Sequence, residues 1–334
     1  MTLSYKYIEI PDLPRLSWQT IPTATKYLSI AYVVFTVSVW YVRRAAYSST
    51  VEDSRLITCP IIQLVPSQVL KFPCSLVASN LVDVEIWKFV VDLLNLIIGG
   101  TYIERYWNSS REMLKYTLLI GTATNLVMCL VTFVLSFVIA SVRLDYPLDG
   151  NYTMLIGFAI VYKQLLPETT IVEIRNVPFI SKNFRFKLYP IFLLCMLTIS
   201  QIIWYHNISE LISIWTTFFT CWLYLRFYQV LPSAVTGNVT ADQVVGDASD
   251  TFQLLYFFPD IIKPLLRPIF DKSYSIAIEK YRWRTPFMPN DIELGNSLTE
   301  SRAKSDFTVT EERRKQLALQ VLEQRINDDK EQPQ

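Results

Sequence analysis

Residues 95–116 read NLIIGGTYIERYWNSSREMLKY. An apolar run closes over Gly99 and Gly100, a charged stretch carrying Glu104, Arg105 and Trp107 follows, and a second apolar run opens at Leu114. Backwards, the first run reaches Trp87 and is taken as a helix from Trp87 to Ile103; forwards, the second is unbroken from Leu114 to Val142. Each is as long as the hydrocarbon core of a bilayer requires, roughly 17–25 helical residues. The charged stretch between them therefore sits at a membrane surface.

Four further runs extend the pattern: Tyr27 to Val42, closed by Arg43 and Arg44; Tyr152 to Leu166; Leu188 to Tyr205, after the basic stretch SKNFRFK; and Ile208 to Leu225. The run from Tyr152 covers only about 22 Å as a helix. It is therefore predicted inside the bundle, with the LDGN loop that precedes it dipping in above. The composition agrees, with 51% hydrophobic residues and 18% charged, below the roughly 25% charged of a soluble domain. The tail differs: residues 231–334 hold 13 of the 31 lysines and arginines. The predicted organisation is a segment 1–23, an all-α six-helix membrane domain 24–230, and a tail 231–334 with amphipathic helices. The N-terminus has no apolar run with a small-residue cleavage site, so insertion is expected to use the first internal helix.

Cations decide the orientation. With the N-terminus in the cytosol, that side carries Lys6, Arg15, Lys26, Arg105, Arg111, Lys115, Lys163, Arg175, Lys182, Arg185 and Lys187, and the other carries Arg43, Arg44, Arg55, Lys71 and Arg143. The balance of 11 to 5, before the tail is counted, places both termini in the cytosol. The Arg43, Arg44 pair argues locally against it. A net charge of +1 gives no footprint for nucleic acid, whose backbone demands clustered cations.

Charge inside a membrane run is a functional flag. Lys88 and Asp92, four residues apart, share a helix face and are read either as a self-neutralising couple or as a polar element that docks a partner helix. The five cysteines show no metal-ligand spacing; Cys59 and Cys74 stand either as a disulfide or as two thiols. Sequons occur at Asn108, Asn151, Asn207 and Asn238. The orientation puts Asn151 and Asn207 in the lumen, where their closeness to helix ends disfavours a glycan.

Beyond Tyr228 the stretch SAVTGNVTADQVVGDASD reads as a linker of small residues. The apolar, proline-broken stretch that follows, from Thr251 to Lys280, suits a surface helix in the headgroup region or packing against the cytosolic face of the bundle. Residues Thr310 to Ile326 gather Leu317, Leu319, Val321, Leu322 and Ile326 mostly on one helical face. That helix either docks back on its own chain or captures a cytosolic partner.

Two resemblances now add to these readings. The helix ending in Gly99 and Gly100, followed by Glu104, Arg105 and Trp107, resembles the second helix and loop of rhomboid intramembrane proteases, where the Glu and Arg form a cytosolic structural network. Six helices with a short fourth fit that fold. Rhomboid chemistry takes a serine in GxSG at the start of the fourth helix, a histidine on the sixth, and a histidine and asparagine on the second, the base activating the hydroxyl and the pair holding the oxyanion. Here Gly150 and Gly157 keep the glycine frame, but Tyr152 stands at the nucleophile position and Thr153 at the next. Trp87 and Val91 stand at the oxyanion positions, and the single histidine, His206, precedes the sixth run. A tyrosine hydroxyl with a pKa near ~10 and no aligned base is a poor nucleophile.

LRFYQ at 225–229, with Arg226, Phe227 and Tyr228; FFPD at 257–260, with Phe257, Phe258 and Pro259; RRKQLALQVLEQRI at 313–326; and FPCSLVASNLVDVEIWKFVVDLL are together similar to the transmembrane protein 115 family of Golgi rhomboid-like proteins. The similarity runs from the first helix to the tail. It implies a Golgi membrane protein without protease activity or cofactor, self-association into a homo-oligomer, support of retrograde traffic to the endoplasmic reticulum, and the COG tethering complex as partner. A pseudoprotease that binds transmembrane clients for quality control or degradation is the alternative, and an inverted-repeat transporter is disfavoured.

Overall fold

The computed structural model describes residues 3–5, 8–10, 19–46, 57–139, 142–165, 173–174, 188–230, 245–259, 261–277 and 287–300. The six apolar runs are six helices: α1 (Thr23–Ala46), α2 (Ile86–Trp107), α3 (Ser110–Ser136), α4 (Thr153–Leu165), α5 (Tyr189–Tyr205) and α6 (Ile208–Phe227). Of these, α1, α2, α3 and α6 are long and apolar enough to cross a membrane, while α4 and α5 are shorter.

Several boundaries moved: α2 runs on from Ile103 to Trp107, and both ends of α3 shift for local reasons. The start of α3 lies earlier than the apolar run because the Ser109 hydroxyl accepts the Glu112 N–H at 3.3 Å, an N-cap that lets the charged residues form the first turn. Its end also comes early: the Phe137 N–H turns back to the Val134 carbonyl at 3.3 Å, and the chain leaves the helix axis. By contrast α1 continues through Arg43 and Arg44.

The faces of the helices are arranged as a lipid solvent demands. On α1 the exposed residues Tyr27, Ile30, Val34, Val37 and Tyr41 form one stripe, while Thr25, Ser29, Tyr32 and Thr36 are buried. On α3 the stripe is Leu119, Leu126, Leu130 and Phe133, and Thr117, Thr124, Asn125 and Thr132 point inward. Apolar residues cover the outside, and small polar residues share the inside with an apolar core, the outward apolar face being what a lipid solvent asks of a bundle.

At the centre lies α4, whose residues Phe158–Leu165 are all buried. At ~1.5 Å per residue it is too short for a ~30 Å hydrocarbon core. The loop before it does dip into the bundle: Leu148 pairs with Leu64 from the α1–α2 connection, and Asn151 is buried. Four helices carry a wide π-helical turn: Asn95–Gly99 in α2, Lys115–Ile120 in α3, Thr153–Gly157 in α4 and Gln201–Tyr205 in α5. Such turns often mark functional or crossing points. The membrane domain is helical as read from the sequence; the structure adds a small antiparallel sheet of β1 (Leu3–Tyr5), β2 (Ile8–Ile10) and β3 (Glu173–Ile174).

Candidate functional site

The buried carboxylate of Glu104 closes one end of the bundle. It accepts from the backbone N–H of Ala24 at 3.0 Å and of Thr25 at 2.8 Å, from the Thr25 hydroxyl at 2.8 Å, and from Ser110. The first N–H groups of a helix have no partner inside it and carry partial positive charge. Glu104, at the end of α2, therefore caps α1 from outside. Arg105 donates to the Thr20 carbonyl just ahead of α1. The Glu–Arg network implied by the resemblance is thus a cap that fixes α1 on α2. Trp107 is buried behind it, edge-on to Tyr116 at 5.7 Å.

The glycines mark where helices cross. A methyl group at Gly99 would run into the Tyr162 side chain of α4, meeting Cζ at 2.8 Å. At Gly157 it would meet the Tyr116 hydroxyl at 2.6 Å, and at Gly150 the Ser79 side chain, with Cβ at 2.6 Å. Gly100 is less confined, with Met113 at 3.2 Å. Asn95 fastens the crossing of α2 and α4: its amide donates to the Met154 carbonyl at 2.8 Å, and its oxygen accepts from Tyr162 at 3.0 Å.

Around the Gly150–Gly157 frame the groups of a hydrolase do not assemble. Tyr152 is buried, and its hydroxyl faces Glu210 of α6 without closing a hydrogen bond. Trp87 and Val91 are half exposed, at 50% and 46%. The alignment through Gly99 and Gly100 puts them at the oxyanion positions, yet the inward face of α2 is formed by Lys88, Asp92 and Asn95. His206 lies exposed at the α5–α6 turn with a φ of 49°.

The reading of Lys88 and Asp92 as a couple is corrected here. Lys88 forms its ion pair with Asp149, from the loop before α4, and approaches Glu85 at 3.8 Å. Asp92 accepts from Asn151 at 2.6 Å, and the same amide donates to Asp83 at 2.9 Å. Tyr32 of α1 also donates to Asp83, whose backbone N–H bonds Thr36 at 3.2 Å. Burial, with the charge of Asp149 nearby, pushes the Asp83 carboxyl up to about 7. Sharing a helix face allowed Lys88 and Asp92 to pair; loops that bring Asp83, Asp149 and Asn151 closer decided otherwise. Asn151, with its amide held between two carboxylates, is closed to a glycan in the folded chain. Cys59 and Cys74 are free thiols.

Beyond α6, the stretch read as a linker is corrected at its far end. Residues 245–258 are built into the bundle. Gly246 turns with φ +83°, where a side chain would strike the Arg226 carbonyl. Arg226 donates to the carbonyls of Asp247 and, at 2.6 Å, Ser249. Asp247 in turn accepts from Gln164 of α4 at 3.2 Å and from the Ser249 hydroxyl at 2.6 Å. Phe257 is fully buried, edge-on to Phe218 at 5.5 Å, and the ammonium of Lys163 sits 3.2 Å from its ring centroid. Thus LRFYQ, through Arg226, and FFPD, through Phe257, both fasten residues 245–258 to the bundle. Phe227 is sandwiched near Trp222 and Phe287, whereas Tyr228 and Pro259 are exposed. Sequence reasoning missed Gly246, Asp247 and Ser249; a Gly-Asp pair after two valines was the available signal.

The next helix, α7 (Lys263–Ser275), buries no residue and leaves Leu265 and Ile269 exposed, while Phe270 meets Phe258 at 5.8 Å. Of the two readings of this stretch, packing on the bundle describes Asp250–Phe257, and α7 touches that segment through Phe270 and through Lys263, which lies 4.6 Å from the Tyr256 ring centroid. Residues 289–300 form α8, which docks through Gly295 against Ser249 and through paired bonds of 2.9 Å between Asn296 and Asp250. The amphipathic stretch 310–326, with Leu317, Val321 and Leu322, lies outside the described residues, as does Asn238. Among the described residues, no cluster of His, Cys, Asp and Glu could hold a metal ion.

Apolar stripes facing outward and polar groups bonded to one another across helices define a multi-pass integral membrane protein with a helical membrane domain. The family described as Eukaryotic integral membrane protein (DUF1751) matches residues 26–328. The chain is 50% identical to the Transmembrane protein 115 homolog of Saccharomyces cerevisiae, over 98% of this chain and 99% of that protein. It is 24% identical to Rhomboid-like protein 19 of Arabidopsis thaliana over 64% of each chain, and 23% identical to human Transmembrane protein 115 over 75% of this chain and 67% of that one. No solved structure matches. The chain belongs to the transmembrane protein 115 family of eukaryotic integral membrane proteins.

Proposed function

We propose that this chain is a non-catalytic scaffold or adaptor of the Golgi membrane that supports retrograde transport to the endoplasmic reticulum, with both termini in the cytosol and COG tethering subunits among its partners. The observation that carries the non-catalytic part is the filling of the hydrolase position. Tyr152 is buried where a nucleophile would stand, and the inward face of α2 presents Lys88, Asp92 and Asn95 rather than a histidine. Among the described residues, Lys88, Asp92 and Asn95 are engaged in joining helices and loops rather than arranged around a nucleophile.

The transport role is supported from the other end. Residues 245–258 and α8 form a platform on the bundle, and α7 leaves it with an apolar face uncovered. In this reading α7 lies in the headgroup layer, homo-oligomers multiply the platform, and the stretch 310–326 captures partners. The test is proximity labelling with the label fused after Gln334, in cells where return of a retrograde cargo is timed with and without the chain. Labelled tethering subunits and slowed return are expected. Labelled degradation machinery with unchanged return would replace this reading by client binding for quality control. Cleavage of a rhomboid model substrate by the purified chain, with a serine labelled by a fluorophosphonate, would overturn the non-catalytic assignment.

A further inference from the structure

A cavity of about 480 Å³ opens at the end of the bundle opposite Glu104, between the loop before α4 and the α5–α6 turn. We infer that it binds a zwitterionic amine–phosphate group, the chemistry of a phosphoethanolamine headgroup. Its volume falls in the range of small-ligand sites, roughly 300–1,000 Å³. Its wall carries three cations, Arg43, Lys88 and Arg143, and three carboxylates, Glu85, Asp149 and Glu210. The wall is therefore neutral in sum and strongly dipolar in detail. A ligand with one net charge would leave one set of wall charges unanswered, whereas a zwitterion answers both.

The order of the charges gives the orientation. Lys88 and Asp149 neutralise one another, and Glu85 accepts from Tyr205 at 3.1 Å. Arg143 is exposed at the rim, bonded to the Tyr146 hydroxyl at 3.2 Å, and Arg43 is half-buried. Deep in the wall, Glu210 and Gln201 are 6% and 5% exposed. One oxygen of Glu210 accepts from the Asp149 N–H at 3.0 Å and the side chain is faced by the Tyr152 hydroxyl, whereas the Gln201 side-chain oxygen has no hydrogen-bond partner. A buried acceptor left open calls for a donor, and an N–H-bearing ammonium answers the Gln201 oxygen while lying beside the Glu210 carboxylate. Guanidinium groups at the rim suit a phosphate, which they bind through paired hydrogen bonds. Phosphate outward and ammonium inward is thus the pose the wall selects. A choline group has no N–H to give these acceptors and should bind less well.

The source follows from the surroundings. Ile202, Ile203 and Trp204 of α5, next to the cavity, are 55%, 58% and 73% exposed, an apolar flank with an aromatic residue of the kind found at a bilayer interface. The inference is independent of the transport reading, because it concerns the opposite end of the bundle and is measured on the purified chain.

The test is photo-crosslinking of the full-length chain in phosphatidylcholine nanodiscs by a photoreactive phosphatidylethanolamine, against a photoreactive phosphatidylcholine of the same chains. Preferential capture of the ethanolamine lipid is expected, with a loss on the order of tenfold in Arg143→Glu, an exposed position whose melting temperature should not change. Glu210→Gln exchanges an acceptor for a donor and should lose capture similarly. Unlabelled glycerophosphoethanolamine competing as well as the lipid would assign the site to a soluble form of the group; competition by the lipid alone would assign it to the membrane. Equal capture of the two lipids, or capture unaffected by both substitutions, would overturn the inference.

Discussion

Glu104 shows how much one buried carboxylate can hold. Its four bonds reach two backbone N–H groups of α1, the hydroxyl of Thr25 and that of Ser110, and its removal would leave the N-terminus of α1 without a cap. Glu104→Ala should cost about 2–4 kcal/mol, with Glu104→Gln intermediate, read as a fall in melting temperature in detergent; an unchanged melt would show that water replaces the carboxylate. Asp83 supplies a pH signal of known sign. Its folded carboxyl, raised to about 7 by burial, stands above the roughly 4 of an unfolded aspartate. The stability it contributes is fully present below that unfolded value and is lost as pH rises through about 7. Melting temperature should therefore fall more steeply between those limits in the parent than in Asp83→Asn; parallel slopes would remove Asp83 as the cause. The sequence singled out Glu104, Arg105 and the glycines through a resemblance, and the structure places them at the cap of α1 and at close contacts between elements. It could not reveal Asp83 or Asp149 as partners, since neither lies in an apolar run and both arrive by loops.

At the scale of elements, hydrophobic runs made the helices legible, for a bilayer imposes length and apolarity on every span. What periodicity cannot supply is rotation about the helix axis. Placing Trp87 and Val91 inward followed from aligning glycines, yet α2 widens into a π-turn at Asn95–Gly99, and Lys88, Asp92 and Asn95 face the interior. The docked segment 245–258 escaped for another reason: its order rests on contacts with Arg226 and Gln164, which composition does not record. The crossing of α2 and α4 yields a test of packing. Gly99→Ala should destabilise the chain by about 1–3 kcal/mol through overpacking, because the new methyl group would overlap Tyr162. Tyr162→Phe removes the hydroxyl and should restore part of that loss. A double-mutant cycle on melting in detergent would therefore show a coupling of about 0.5 kcal/mol or more. Strict additivity would mean that α2 and α4 separate at this point without cost.

For the whole molecule, the question is which end faces the cytosol. Glu104 ties the start of α1 to the end of α2, and Tyr116 near the start of α3 meets both Trp107 at the end of α2, at 5.7 Å, and Tyr224 near the end of α6, at 6.0 Å. The beginning of α1 and the end of α6 thus belong to the same end of the bundle. Cations favour the cytosol for that end by 11 to 5. The sequence left one objection, the pair Arg43 and Arg44 at the far end of α1. The cavity answers it for Arg43: Arg43 and Arg143, two of the five cations on the minority side, line its wall beside Glu85, Asp149 and Glu210. Charges retained to balance carboxylates in a site say little about orientation, and discounting them steepens the imbalance. Protease added to sealed microsomes should therefore remove a tag fused before Met1 and one fused after Gln334, and a reporter inserted in the α1–α2 connection should resist it. Digestion of the reporter with protection of both tags would invert the molecule, and protection of one tag alone would break the six-helix count.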